Sequence, residues 1–124
     1  MFLRALPLIL VLGGAPLLAD LTNSTPVQAQ IPNSQLRALN MARNVGIKEN
    51  GGLSVYRPQK CMYSTASGGE SCLISTNPEG YTFQFMGGAP GWQESQIPPS
   101  TETELLIAPD GRSVVEIIYN GPPR

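Results

Sequence analysis

The sequence predicts an α+β fold: one N-terminal helix packed on an antiparallel β-meander of about four main strands. Three observations predict it. One helix-forming stretch lies between capping residues and the stop Asn50-Gly51-Gly52; short runs of β-branched and aromatic residues follow; and clusters of Gly, Pro, Asn and Asp separate those runs.

The chain begins with Met1-Phe2-Leu3-Arg4 and then an apolar stretch from Ala5 to Ala19 that is interrupted by Pro7, Gly13, Gly14 and Pro16. That stretch is shorter than the roughly 20 apolar residues a membrane-spanning helix needs. A cleavable signal peptide over residues 1–29 is therefore expected, with Val27-Gln28-Ala29 presenting small residues to a signal peptidase and the cut after Ala29. Leu17-Leu18-Ala19 is a poorer second site, and an uncleaved N-terminal membrane helix is the competing reading. The sequon Asn23-Ser24-Thr25 leaves with the signal. Residues 30–124 then form a single small domain with a thin core and no transmembrane helix.

Asn33 and Ser34 are N-cap residue types, and Gln35 to Lys48 is helix-forming apart from Gly46. Ala38, Met41, Ala42 and Val45 recur at the spacing of one apolar face, with Leu36, Leu39 and Ile47 off that stripe. Strands are expected over Leu53–Arg57, Cys61–Ser64, Cys72–Thr76, Tyr81–Met86, Thr103–Ala108 and Ser113–Tyr119. Pro109-Asp110-Gly111-Arg112 supplies the turn of the last hairpin, because proline presets φ and glycine accepts the left-handed position. In the closing strand Val115, Ile117 and Tyr119 alternate with Val114, Glu116 and Ile118, and the first set reads as the core face. Gly121-Pro122-Pro123-Arg124 reads as a stiff, extended tail.

The chain contains no histidine. This excludes Ser-His-Asp and Cys-His nucleophilic sites and the usual mixed zinc ligand sets. No phosphate loop, dinucleotide fingerprint or EF-hand is present, so neither a cofactor nor a metal is expected. Cys61 and Cys72 are the only two cysteines. On adjacent expected strands and in an exported chain they predict a disulfide closing a hairpin around Ser67-Gly68-Gly69-Glu70, in preference to a redox or metal pair, whose spacing would differ.

The formal net charge is −1, unevenly distributed. Within residues 30–124, Arg37, Arg43, Lys48, Arg57 and Lys60 face only Glu49 before residue 61, while acidic residues dominate after it. The basic third either steers an acidic partner or balances the acidic sheet of the same molecule. The second reading is preferred because the charges are not densely clustered, and nucleic acid is not an expected partner.

Glu102 and Glu104 alternate on one strand, with Glu116 as a possible opposing carboxylate. A solvated sheet face is expected there rather than an acid/base pair, since no apolar pocket is evident to raise one pKa. Trp92 follows the loop Gly87-Gly88-Ala89-Pro90-Gly91 and is either an exposed partner anchor or a plug on one end of the core. Tyr56 and Arg57 form a second candidate partner-binding patch, with a plain strand end as the preferred alternative.

Asn50-Gly51-Gly52-Leu53-Ser54-Val55-Tyr56-Arg57, Phe83-Gln84-Phe85-Met86-Gly87-Gly88-Ala89-Pro90-Gly91 and Tyr119-Asn120-Gly121-Pro122-Pro123-Arg124 resemble a group of small exported cyanobacterial proteins of uncharacterised function. The similarity runs from about Leu39 onward. The resemblance implies a place, the periplasm or thylakoid lumen, and no chemistry. The expected function is an exported non-catalytic domain that binds a protein or envelope component in the periplasm, thylakoid lumen or extracellular space. A small inhibitor or regulator of a secreted enzyme is the alternative.

Overall fold

The computed structural model describes residues 30–124; the signal peptide and its cut fall outside the described residues. One helix, α1 (Asn33–Glu49), precedes a five-stranded antiparallel sheet: β1 (Arg57–Pro58), β2 (Leu73–Asn77), β3 (Gly80–Gly88), β4 (Thr101–Ile107) and β5 (Val114–Gly121). The order is β1-β3-β4-β5, with β2 also paired to β3, so the chain has the expected α+β architecture of a helix on a meander. Among the described residues no helix is long and apolar enough to cross a membrane.

Helix α1 ends where expected and begins differently. The carbonyl of Pro32 accepts the amides of Gln35 and Leu36, at 3.0 and 3.2 Å, and no side chain caps the start. Asn33 and Ser34 lie inside the first turn, where the Ser34 hydroxyl bonds the Tyr81 hydroxyl at 2.7 Å: a tertiary partner has displaced the local cap. At the other end, the Gly52 amide reaches the Ile47 carbonyl and the Asn50 amide the Gly46 carbonyl. The buried face is Ala38, Leu39, Ala42 and Gly46, flanked by Met41 and Val45, so Leu39 belongs to the core although the simplest stripe omits it.

The core forms between that face and the inward side of β3 and β4, where Tyr81, Phe83 and Phe85 stand opposite Ile107, Leu105 and Thr103. Gly46 lets the helix approach closely, because a β-carbon there would sit 2.7 Å from the Phe85 ring. The β4–β5 turn is tucked under the first turn of α1. Gly111 has φ +75°, a β-carbon on it would lie 2.3 Å from the Ser34 carbonyl oxygen, and Arg37 Nε donates to the Asp110 carbonyl at 3.0 Å.

Four expected features are corrected. Leu53–Arg57 contributes only the two-residue β1, because Leu53 to Val55 turn back on Gly52, whose carbonyl accepts the Val55 and Tyr56 amides. Cys61–Ser64 is not a strand. Three short 3-10 turns (Lys60–Tyr63, Thr65–Ser67 and Glu70–Cys72), joined through left-handed Gly68 and Gly69, carry the chain across the core. The Cys61–Cys72 disulfide is present, with α-carbons 5.8 Å apart, but it pins these turns rather than a hairpin. Finally, β5 does not present Val115, Ile117 and Tyr119 to one face. Register shifts opposite Glu104/Leu105 and Leu106/Ile107 break the alternation, placing Tyr119 across from Glu104 and Ile117 across from Leu105. Val115 and Ile117 remain exposed, and Val114 is the β5 residue packed on the core.

Candidate functional site

Arg57 and Trp92, expected as separate patches, meet in one cleft, and Tyr56 leaves it. Arg57 and Pro58 pair with Gly88 and Gly87 in the β1–β3 ladder, which fixes the start of the cleft at the sheet's edge. The chain after β3 turns back, and the Trp92 indole N–H donates to the Arg57 carbonyl at 2.9 Å. The indole lies over Gly88, where a β-carbon would come within 2.9 Å of the ring. Trp92 is 7% exposed, so it is not the exposed anchor, and it lines the cleft from a buried position.

The cleft holds about 270 Å³ and is lined by Arg57, Pro58, Lys60 and Tyr63 on one wall and by Gly91 to Glu94 on the other. That volume lies at the small end for ligand sites and suits one side chain or a short segment. The Lys60 amide donates to Gln93 Oε1 at 3.0 Å, and Lys60 Nζ pairs with Glu94 at 3.5 Å across the mouth. Both ends of that pair are more than half exposed, so it contributes little and opens readily. The Glu94 carboxyl is held below its ordinary value, first by its own backbone amide and then by Lys60 and Arg57. Arg57 Nε donates to the Leu53 carbonyl at 2.9 Å, which aims the rest of the exposed guanidinium outward. Arg43 lies over the Tyr63 ring, 4.9 Å from its centroid, and donates to the Met62 carbonyl.

Tyr56 points inward. It is 3% exposed, and its ring occupies the space a side chain on Gly87 would need, with the hydroxyl near Gly46. The hydroxyl makes no hydrogen bond of good geometry, although the Thr103 hydroxyl beside it, which donates to Asn120 Oδ1 at 2.7 Å, acts against the rise in its pKa. Burial pushes the Tyr56 pKa up to about 12.

The carboxylates of β4 do not form a solvated face. Glu102 is 2% exposed and receives hydrogen bonds from the Arg124 amide (2.7 Å), from Arg124 Nε and Nη2 (3.2 and 2.8 Å) and from Gln84. Arg124 Nη2 also reaches Glu104 at 2.8 Å and the guanidinium stacks 3.9 Å from the Tyr119 ring centroid. The tail expected to run out stiffly instead folds back, Tyr119 donating to the Pro122 carbonyl. The hydrogen bonds from Arg124 hold Glu102 down at about 2. A carboxyl so far below neutral does not serve as a general acid. Glu116 stands across from Leu106, away from the pair.

Lys60, Tyr63, Gln93 and Glu94 complete the cleft, and the sequence pattern does not single them out. The one signal is the Lys60/Tyr63 spacing, since residues three apart eclipse on a 3-10 turn, but it requires knowing that Lys60–Tyr63 is such a turn. No group of three or more metal-ligating side chains occurs among the described residues. No family model, no curated protein and no solved structure matches the chain.

Proposed function

We propose that the chain is an exported, non-catalytic binding or accessory domain of the periplasm or thylakoid lumen that engages a protein or envelope component at the Arg57/Trp92 cleft. The observation that carries this reading is the indole bond from Trp92 to the Arg57 carbonyl. It ties together the two walls of the cleft, which come from distant segments, with exposed cationic and aromatic groups at their rim. Export is supported by the N-terminal sequence and by a disulfide in a small domain, a bond that persists in oxidising compartments. The resemblance to small exported cyanobacterial proteins supports the compartment.

The test is a photo-crosslinking residue placed at Glu94 on the rim, with Glu79 in the β2–β3 turn as control, in protein expressed in its own envelope. A defined adduct from position 94 alone, lost in Tyr63→Ala, is the expected result. Equal adducts from both positions, or one indifferent to Tyr63, would remove the cleft from the account. The alternative, an inhibitor or regulator of a secreted enzyme, is favoured by one observation. Leu53 and Val55 expose 47% and 59% of their surface on the tight loop after Gly52, the form of an inserting tip. Inhibition of an envelope hydrolase abolished by Leu53→Ser with the adduct unchanged would favour it.

A further inference from the structure

The sequence leads one to expect the basic leading segment to balance the acidic sheet, yet among the described residues no ion pair joins that segment to the strands. Among the described residues the ion pairs are Lys60 with Glu94 and Arg124 with Glu102 and Glu104. The acidic pair of β4 is thus occupied by Arg124. Arg37, Arg43 and Arg57 direct their guanidinium donors elsewhere, to the carbonyls of Asp110, Met62 and Leu53. Each of these bonds orients a guanidinium without placing it in an ion pair.

One of those arginines, Arg57, lines the cleft, and Arg43 stands behind it, over the ring of Tyr63. Arg57, Lys60, Tyr63 and Arg43 form a continuous arc, Arg43 reaching it through the ring of Tyr63. Among the residues lining the cleft the one carboxylate is Glu94, already engaged by Lys60 in an exposed pair that an incoming carboxylate can exchange for. Resting on the proposed cleft, we infer that the ligand is an acidic polypeptide segment, which places an Asp or Glu carboxylate between Arg57 and Lys60. The volume of about 270 Å³ accommodates one such side chain, and the arc beside it receives neighbouring acidic residues. A guanidinium fork pre-aimed by its Nε bond suits bidentate capture of a carboxylate. Trp92, the sole tryptophan, is in the wall and reports occupancy directly.

The probe is fluorescein-labelled hexaglutamate, titrated by anisotropy and by Trp92 emission against the processed protein, with hexalysine and a Gly-Ser peptide as controls. Hexaglutamate alone should bind. Arg57→Gln or Lys60→Gln should each weaken it by about 3- to 10-fold and the double variant more, as expected for rim charges. Raising salt from about 20 to 300 mM should weaken it about 10-fold or more. Arg112→Gln, an exposed arginine away from the cleft, should leave it unchanged. Equal binding of the neutral peptide, an intact affinity in the double variant, or stronger competition by dextran sulfate than by unlabelled hexaglutamate at equal charge would overturn the acidic polypeptide. If position 94 still captures a partner in a Tyr63-dependent way while hexaglutamate fails, the ligand class is wrong and the cleft stands. If both fail, the cleft falls as well.

Discussion

The acidic sheet and the basic leading segment use their charge in opposite ways. On β4, Glu102 and Glu104 are turned inward in function: they hold the segment after β5 through Arg124, and Gln84 and the Arg124 amide complete the shell of the Glu102 carboxylate. On the leading segment, arginines reach backbone carbonyls and an aromatic ring, and its ion pair among the described residues, Lys60 with Glu94, is exposed. A buried carboxylate needs its partners, because losing one leaves an unpaired charge. An exposed cation loses little when its neighbour is removed. Charge that stabilises the fold and charge that is free to meet a partner can therefore be told apart by burial and by partner type.

The comparison makes a first demand on the disulfide. If ion pairs do not hold the segment around residues 57–72, the Cys61–Cys72 bond and the burial of Met62 must. Replacing both cysteines by alanine should cost about 3 kcal/mol in urea unfolding, the scale for a loop of this length. A loss near zero would mean that the 3-10 turns are held by contacts the comparison overlooks.

A smaller effect is expected from the acidic side. Glu102→Gln removes the charge from a buried pair but keeps a hydrogen-bonding amide, and Arg124 is 44% exposed, so the cost should be about 2 kcal/mol. The sign of its pH dependence follows from a folded value of about 2 against an ordinary 4.5. That contribution is complete above the ordinary value and is lost as pH falls from there toward 2. The variant should show a flatter acid limb in that window than the parent, measured by thermal unfolding at stepped pH.

The smallest effect concerns Tyr56. Its hydroxyl is buried without a partner, so Tyr56→Phe should be neutral to within about 0.5 kcal/mol or slightly stabilising. A large loss would show that the hydroxyl is bonded in solution, and would place Tyr56 in a polar network with Thr103.

How much of this is legible in the sequence differs between the same regions. The helix and the strands β3 and β4 are legible because Asn50-Gly51-Gly52, Asn77 to Gly80 and Pro109 to Gly111 are backbone signals that act locally. Their packing partners are not. Ser34 is diverted from capping by Tyr81, which is 47 positions away. Val55 and Tyr56 have strand-forming side chains, yet Tyr56 serves as a wedge over Gly87, and its neighbours turn. The two register shifts in β5 erase a clear alternation. At the site, Arg57 and Trp92 are both visible as candidates, but the bond between them spans 35 positions and no local pattern encodes it. The tail reads as extended because its prolines have no amide to offer a ladder, whereas its fate is decided by the arginine beyond them.

The most direct measurement of the central claim is equilibrium urea unfolding of the Arg57→Gln/Lys60→Gln double variant beside Glu102→Gln. The double variant should match the parent to within about 0.5 kcal/mol while Glu102→Gln falls by about 2 kcal/mol, with unchanged urea dependence in all three. A double variant as destabilised as Glu102→Gln would contradict the account, because the basic rim would then be holding the fold rather than standing free for a partner.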